Sequence, residues 1–487
     1  MIKGTLMKAR ARVGRRRFTL LCSLPFALCS VVRAQNPRVA QALELVKVYL
    51  DAARSYQQIP GLSVALVRDQ DLVWSGGFGV TDLDRKTPAT ASTIYSICSI
   101  SKLFTSLAVM QLRDAGKVRH DDPVVRHLPW FSALKRNKPE AGEITVEGLL
   151  THASGLPRES DHPYWSAPDF KFPTREEIIA GLSHQEALYP AETYWQYSNL
   201  GITLAGEIVS AASGKPYAEY VQEKILRPLG LTSTTSEMPE AEQGKRLATG
   251  YSSLTRAGTR TKMPFFQARG IAPAAGYAST VEDLGKFASW QFKTLAGGSQ
   301  DILKLASLRE MQRIHWVDPE GETTWGLGFA AWRVGGKTFV GHGGSCPGYR
   351  SQLVLRPEEK IAIAVAANAM IDAGGLAQDV YAIMAPALTG KAPEKPDPDF
   401  SAYVGTYTAQ PWSGESAIVA WEDGLAELSL PSNDPVNGLT KLRKTGEHTF
   451  RRVRKDGELG ETVTFEMGPD GKAAALTWYV NRRVRIK

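Results

Sequence analysis

The sequence predicts an α+β domain followed by a small all-β module, and three observations carry that reading. Strand patterns stand at both ends of residues 61–366 around a helical middle, which places the terminal segments in one shared sheet. A Pro- and charge-rich stretch, residues 389–399, then interrupts the pattern and reads as a linker. Beyond it, residues 400–487 are short alternating segments with turn signals such as Glu422-Asp423-Gly424 and Pro469-Asp470-Gly471, the pattern of a small barrel or sandwich.

The first 34 residues read as a targeting segment rather than as part of the fold. A basic stretch ends at Arg17, an apolar run follows from Phe18 to Val32, and Val32-Arg33-Ala34 is a small-x-small site before Gln35. The run is too short to span a bilayer comfortably, so no stable membrane anchor is expected after cleavage, and the mature chain is expected to be periplasmic or secreted. Arg15-Arg16-Arg17-Phe18-Thr19-Leu20 resembles a twin-arginine export signal, with an ordinary secretory signal as the alternative. The eight basic residues of this segment equal the whole formal charge of +8. The mature chain is therefore balanced, and nothing points to nucleic acid or an anionic surface as a partner. Two cysteines leave with the segment. Cys98 and Cys346 remain, a number that permits a disulfide in an oxidising compartment.

The elements of the main domain, residues 35–388, follow in order. Residues 35–58 read as a helix with Val39, Leu43, Val46 and Leu50 on its apolar positions, stopped by Pro60-Gly61. Leu62–Arg68 and Asp71–Trp74 read as a hairpin, followed by Gly76-Gly77. Residues 101–112 are apolar on nearly every face, so they predict a buried helix. Thr145–His152 starts a short helix, residues 200–211 form another apolar one, and Ser279-Thr280-Val281-Glu282 carries a capping signature before a helix through Trp290. Strands return at Thr338–Val340, Arg350–Leu355 and Ile361–Ala366.

Serine is a weak nucleophile at neutral pH and needs a base within hydrogen-bond reach. Ser99-Ile100-Ser101-Lys102 offers one: at the start of a buried helix, Lys102 lies three residues on, and burial favours its neutral amine. A second Ser-x-x-Lys, Ser132 to Lys135, sits in a polar stretch where its lysine stays solvated. Tyr197-Ser198-Asn199 precedes the apolar helix from Leu200; the tyrosine can relay a proton, and the asparagine can bond Lys102 and a substrate amide. Its rival, Tyr479-Val480-Asn481, lies in a strand context of the C-terminal module and reads as structural. In Gly341-His342-Gly343-Gly344-Ser345, small residues allow close approach of a substrate backbone, and the Ser345 and Ser99 N–H groups can form an oxyanion hole. The few histidines lack metal-ligand spacing, and no phosphate loop stands out, so neither metal nor cofactor is expected.

Together, in the order Ser-x-x-Lys, Tyr-x-Asn, His-x-Gly, these motifs resemble the serine β-lactamase and penicillin-binding protein superfamily in its class C-like branch, related to esterases and D-amino-acid peptidases. The runs Leu149–Pro157, Arg227–Leu231 and Ala275-Gly276 agree with it. The resemblance implies a transpeptidase-like domain, an antiparallel sheet flanked by helices, with Ser99 acylated, Lys102 and Tyr197 sharing acid/base work, and Asn199, His342, Gly344 and Ser345 lining the cleft. It implies a structural His152. Cys98 precedes the nucleophile and Cys346 follows the third motif, a placement that resembles the disulfide of some class A carbapenem-hydrolysing enzymes, so a Cys98–Cys346 bond is expected. Residues 400–487 resemble lipocalin-like modules found behind some members. One departure matters: class C enzymes carry Lys-Thr-Gly where this chain has His342-Gly343-Gly344, and neutral histidine gives no fixed charge to a substrate carboxylate. A β-lactam, an ester or a D-peptide all remain open as the small-molecule or peptide substrate. So does a penicillin-binding receptor acylated without efficient turnover. The oligomeric state is not set by these patterns.

Overall fold

The computed structural model describes Met1 and residues 36–136, 142–318, 320, 321 and 324–487. The targeting reading therefore lies outside the described residues. Residues 36–487 form one compact unit.

The first helix, α1, is Pro37–Tyr56, opened by an Asn36 cap with proline at its first position. Strands β1, Gly61–Arg68, and β2, Asp71–Asp82, form the predicted hairpin. β2 runs well past the expected end at Trp74, through Gly76-Gly77. A Cβ on Gly77 would stand 2.3 Å from the Ala89 carbonyl oxygen, so the glycines admit a crossing segment rather than stop the strand. Short pieces follow: β3, Thr87–Pro88, and β4, Tyr95–Ser96. Helix α2, Ser101–Asp114, is buried from Ser101 through Met110, as its all-round apolar character predicts. Helices α3, Val146–Thr151, and α4, Asn199–Ser213, belong to the helical middle. β5, Ala278–Ser279, pairs with β4, and helix α5, Val281–Leu295, starts at Thr280, whose side chain accepts the Asp283 N–H.

β6, Trp316–Val317, β7, Thr324–Trp325, and β8, Ala330–Val334, lead to the long β9, Lys337–Cys346. β10, Tyr349–Arg356, β11, Ile361–Ala367, and helix α6, Ala373–Thr389, complete the domain. The sheet order is β3-β2-β1-β11-β10-β9-β8-β7-β6. Its pairings are antiparallel, and β1 meets β11 from Leu62↔Ala367 to Arg68↔Ile361, so the two ends of the domain share one sheet.

The sheet has two covered faces. Ala65, Val67, Ala362 and Ala364 pack into the core with α2, α4 and α5. Val64, Leu66, Ile363 and Val365 pack against α1 and α6. Ala417, Val419 and Leu428 of the C-terminal strands join that second cluster, and Lys487 pairs with Asp51 of α1 at 2.6 Å. These contacts tie the C-terminal strands to the rest. Those strands close into an eight-stranded antiparallel barrel, from Gly405–Thr408 to Asn481–Arg485. Its interior is filled by side chains that include Tyr407, Phe450, Phe465 and Trp478. Tyr479 and Val480 do not continue a strand: both hold left-handed backbone, φ 52° and 59°, in the turn before Asn481. Among the described residues no helix is long and apolar enough to cross a membrane.

Candidate active site

Ser99 sits in a single turn, Cys98–Ile100, that feeds α2. Cys98 holds left-handed backbone, φ 51°, a sparsely populated state for a residue with a Cβ. The turn is pinned on both sides. Ile97 N–H donates to the Tyr277 carbonyl at 2.8 Å, and Tyr277 N–H donates to Ser101 Oγ at 3.0 Å. The outcome is a partly exposed Ser99 beside a fully buried Lys102. The rival pair is different: Ser132 and Lys135 are both exposed.

Lys102 Nζ has three neighbours: Asn199 Oδ1 at 2.7 Å, the Ala274 carbonyl at 2.7 Å and Ser99 Oγ at 3.1 Å. The first two are pure acceptors and take two N–H bonds. A neutral amine has two such hydrogens and one lone pair, so the lone pair is left for the Ser99 hydroxyl. The electrostatics agree. Burial holds the Lys102 pKa well below its ordinary 10.5; Glu159 opposes that shift and Arg158 adds to it.

Asn199 is the first residue of α4, and its orientation is set from behind. Its Nδ2 donates to both oxygens of Glu159, at 2.9 and 3.0 Å. Arg158 pairs with Glu159 at 3.2 Å and lies 4.8 Å from the Tyr197 ring centre. Sequence reasoning missed Arg158 and Glu159, although they directly follow the run Leu149–Pro157. Replacing Glu159 with glutamine should move the acid limb of the pH–rate profile to lower pH, because a carboxylate that favours the Lys102 ammonium is gone. Profiles of kcat/KM for the two proteins check the direction.

Tyr197 lines the same cleft as Ser99, and burial raises its pKa, so the phenol stays protonated at neutral pH. His342 is buried, its Nδ1 2.5 Å from the Gly343 carbonyl, with its ring centre 6.2 Å from that of Tyr197. Burial pushes its pKa down to about 3, so it is a neutral imidazole. β9 pairs with β8 only as far as Ala330↔Gly341. From His342 to Cys346 its β8-side edge has no partner strand among the described residues, and this stretch borders a cleft of about 790 Å³ that also contains Ser99, Tyr197 and Asn199.

Gly344 borders that cleft too, but the space its missing side chain leaves is filled by Ile97: a Cβ there would stand 2.2 Å from the Ile97 oxygen. Ser345 is exposed at the edge. Cys98 and Cys346 are paired through their sulfurs, with Cα atoms 5.7 Å apart. The structure thus brings together Ser99, Lys102, Tyr197, Asn199, His342, Gly344 and Ser345. Among the described residues no group of three His, Cys, Asp or Glu side chains is placed to hold a metal ion.

A β-lactamase family profile matches residues 46–387, which contain every site residue named above. The chain belongs to the β-lactamase family. Beta-lactamase-like protein 2 of Dictyostelium discoideum is 27% identical over 408 residues, covering 77% of this chain and 73% of that protein. Unguisins hydrolase ungD' of Aspergillus campestris is 27% identical over 335 residues, covering 67% of this chain and 60% of that protein, so this family member spans three fifths of its length. The octameric penicillin-binding protein homologue from Pyrococcus abyssi superposes with a TM-score of 0.62 at 27% identity, over 91% of this chain and 100% of that one. That span is wider than residues 46–387. A D-stereospecific amidohydrolase from Streptomyces sp. superposes with a TM-score of 0.54 at 25% identity, over 72% of this chain and 99% of that one. Family and fold together make this a β-lactamase-type hydrolase chain.

Proposed function

We propose that this chain is an exported serine hydrolase that works through a Ser99 acyl-enzyme. The observation that carries the reading is Lys102: a buried amine group 2.7 Å from two pure acceptors and 3.1 Å from Ser99 Oγ, which as a neutral amine has its lone pair free for the Ser99 proton. In the proposed cycle the Ser99 proton passes to Lys102 Nζ as Oγ attacks a substrate carbonyl carbon. The N–H groups of Ser99 and Ser345 hold the oxyanion. Tyr197, still a phenol, passes a proton to the leaving group as its bond to carbon breaks, and Lys102 returns a proton to Tyr197. Water then attacks the acyl-enzyme with the same groups in reverse.

Esters, D-peptides and β-lactams all present such a carbonyl. A hydrolase and a D-stereospecific amidohydrolase among the similar proteins favour turnover over a receptor role. The neutral His342 favours substrates that need no fixed charge at the third motif. A fluorophosphonate should label Ser99 alone, located by peptide mass spectrometry, and p-nitrophenyl esters should turn over. A stoichiometric burst with nitrocefin and no turnover on any ester would point instead to a receptor.

Export also gives the Cys98–Cys346 pair an oxidising environment. The bond closes a loop of sequence separation 248 directly behind the nucleophile. Reducing it is expected to cost about 2–4 kcal/mol of stability, seen as a lower Tm in dithiothreitol. Free thiols in the non-reduced exported protein would remove the idea.

A further inference from the structure

His152 is a buried histidine beside the reacting groups that the cycle above does not use. It caps the C-terminus of α3 in left-handed backbone, φ 62°, and is fully buried. It meets the segment 196–198 at three points. Its carbonyl accepts Gln196 N–H at 2.8 Å. Its Nδ1 accepts Ser198 N–H at 3.1 Å. Between those two bonds its ring lies 4.3 Å from the Tyr197 ring, centre to centre.

These contacts fix the imidazole's state. A backbone N–H can only donate, so Nδ1 is the lone-pair nitrogen and Nε2 carries the proton. Burial keeps the ring neutral. Nε2 is buried without a hydrogen-bond partner among the described residues, and the His152 ring centre lies 5.0 and 6.1 Å from those of Trp325 and Trp195. A buried N–H without an acceptor destabilises the fold, and an apolar ring would avoid it. What histidine supplies and an apolar ring does not is the acceptor at Nδ1. The Ser198 side chain is already committed, donating to the Pro157 carbonyl at 2.6 Å and accepting Gly201 N–H at 2.8 Å, so it cannot take over.

We propose that His152 is the positioning residue for Tyr197: by holding the backbone on both sides of it and packing against its ring, His152 aims the phenol at Ser99 and the leaving group. This rests on the reading of Tyr197 as the proton relay. His152 touches no reacting atom.

The test compares two esters with one acyl group, p-nitrophenyl butyrate, whose leaving group needs no proton, and ethyl butyrate, whose leaving group does. His152→Phe keeps a ring and removes the acceptor. His152→Asn removes the ring and places an oxygen where Nδ1 stood, and asparagine tolerates left-handed backbone. The Phe variant should lose about 100-fold in kcat/KM on ethyl butyrate and under about fivefold on the nitrophenyl ester. The Asn variant should recover most of the ethyl butyrate activity. Equal losses on both esters, or no loss, overturn the proposal. Tyr197→Phe is the control: if it shows no such split between the esters, the relay reading fails, whatever His152 does. If His152→Phe does not fold, nitrogen-15 shifts of the wild-type ring decide. A neutral Nε2–H form from about pH 5 to 9 supports the assignment, and a ring that titrates in that range overturns it.

Discussion

Lys102→Met should abolish turnover, lowering kcat/KM by about 10⁴-fold or more. The methionine fills a similar volume in a fully buried position and carries no lone pair basic enough to take the Ser99 proton. It also leaves Asn199 Oδ1 and the Ala274 carbonyl without their donor, so the loss combines chemistry with some loosening of the site. Two readouts separate these. Near-ultraviolet circular dichroism should stay native-like, and fluorophosphonate labelling of Ser99 should fall with turnover. A variant that keeps a tenth of wild-type activity would remove Lys102 as the base. The wild-type profile carries the same assignment: kcat/KM should rise as Lys102 loses its proton, with that limb well below pH 10.5 because burial disfavours the ammonium. The sign for stability is the same. Between the depressed folded pKa and the ordinary value, the unfolded chain binds a proton that the folded chain does not, so this site's contribution to stability grows with pH across that window. Lys102→Met should flatten that part of the dependence.

How far the sequence carried depended on the range of the contact involved. Ser99 and Lys102 are three residues apart, and a buried helix start fixes their relation from local pattern alone. Tyr197 and Asn199 were legible because they stand at the mouth of an apolar helix. Glu159 was not: its meaning is its bond to Asn199, a tertiary contact across 40 residues, and its charged neighbour Arg158 looks like any surface pair. Two glycine and turn readings went the wrong way for a related reason. The second strand reads as Asp71–Trp74, but it continues through Gly76-Gly77 because what the glycines provide is room for Ala89, which only the folded chain brings near. Tyr479-Val480 looks like strand because both side chains suit a strand, and the closure of the barrel forces them into a turn instead. The barrel itself was read correctly as a class. Its packed interior, built around Tyr407 and Phe465, leaves the lipocalin resemblance in strand arrangement rather than in a hollow core.

Gly344→Ala should cost about 1–3 kcal/mol of stability and about 100-fold in kcat/KM, whereas Gly343→Ala next to it should be nearly silent. On sequence, both glycines read as small residues that let a substrate backbone approach. The folded chain separates them. A Cβ at Gly344 would stand 2.2 Å from the Ile97 carbonyl oxygen and 2.2 Å from Ser351 Oγ, which itself donates to that same oxygen at 2.9 Å. The Ile97 carbonyl is backbone, two residues before Ser99 and next to the strained Cys98, so it cannot swing aside without moving Ser99. Either the turn shifts or β9 retreats. Both change the separation between the Ser99 and Ser345 N–H groups that are to share one oxyanion, and that spacing matters at the level of an ångström. At Gly343 the added Cβ meets only Gln352 Oε1, at 2.7 Å, the free end of a flexible side chain, and the next neighbours are at 3.8 Å. Paired measurements of Tm and kcat/KM on the two alanine variants check this. Equal behaviour of the pair would mean that the cleft is not gauged by Gly344. The expected contrast would show that the glycine's main partner is the turn that carries Ser99, held at a fixed distance from the strand that faces it.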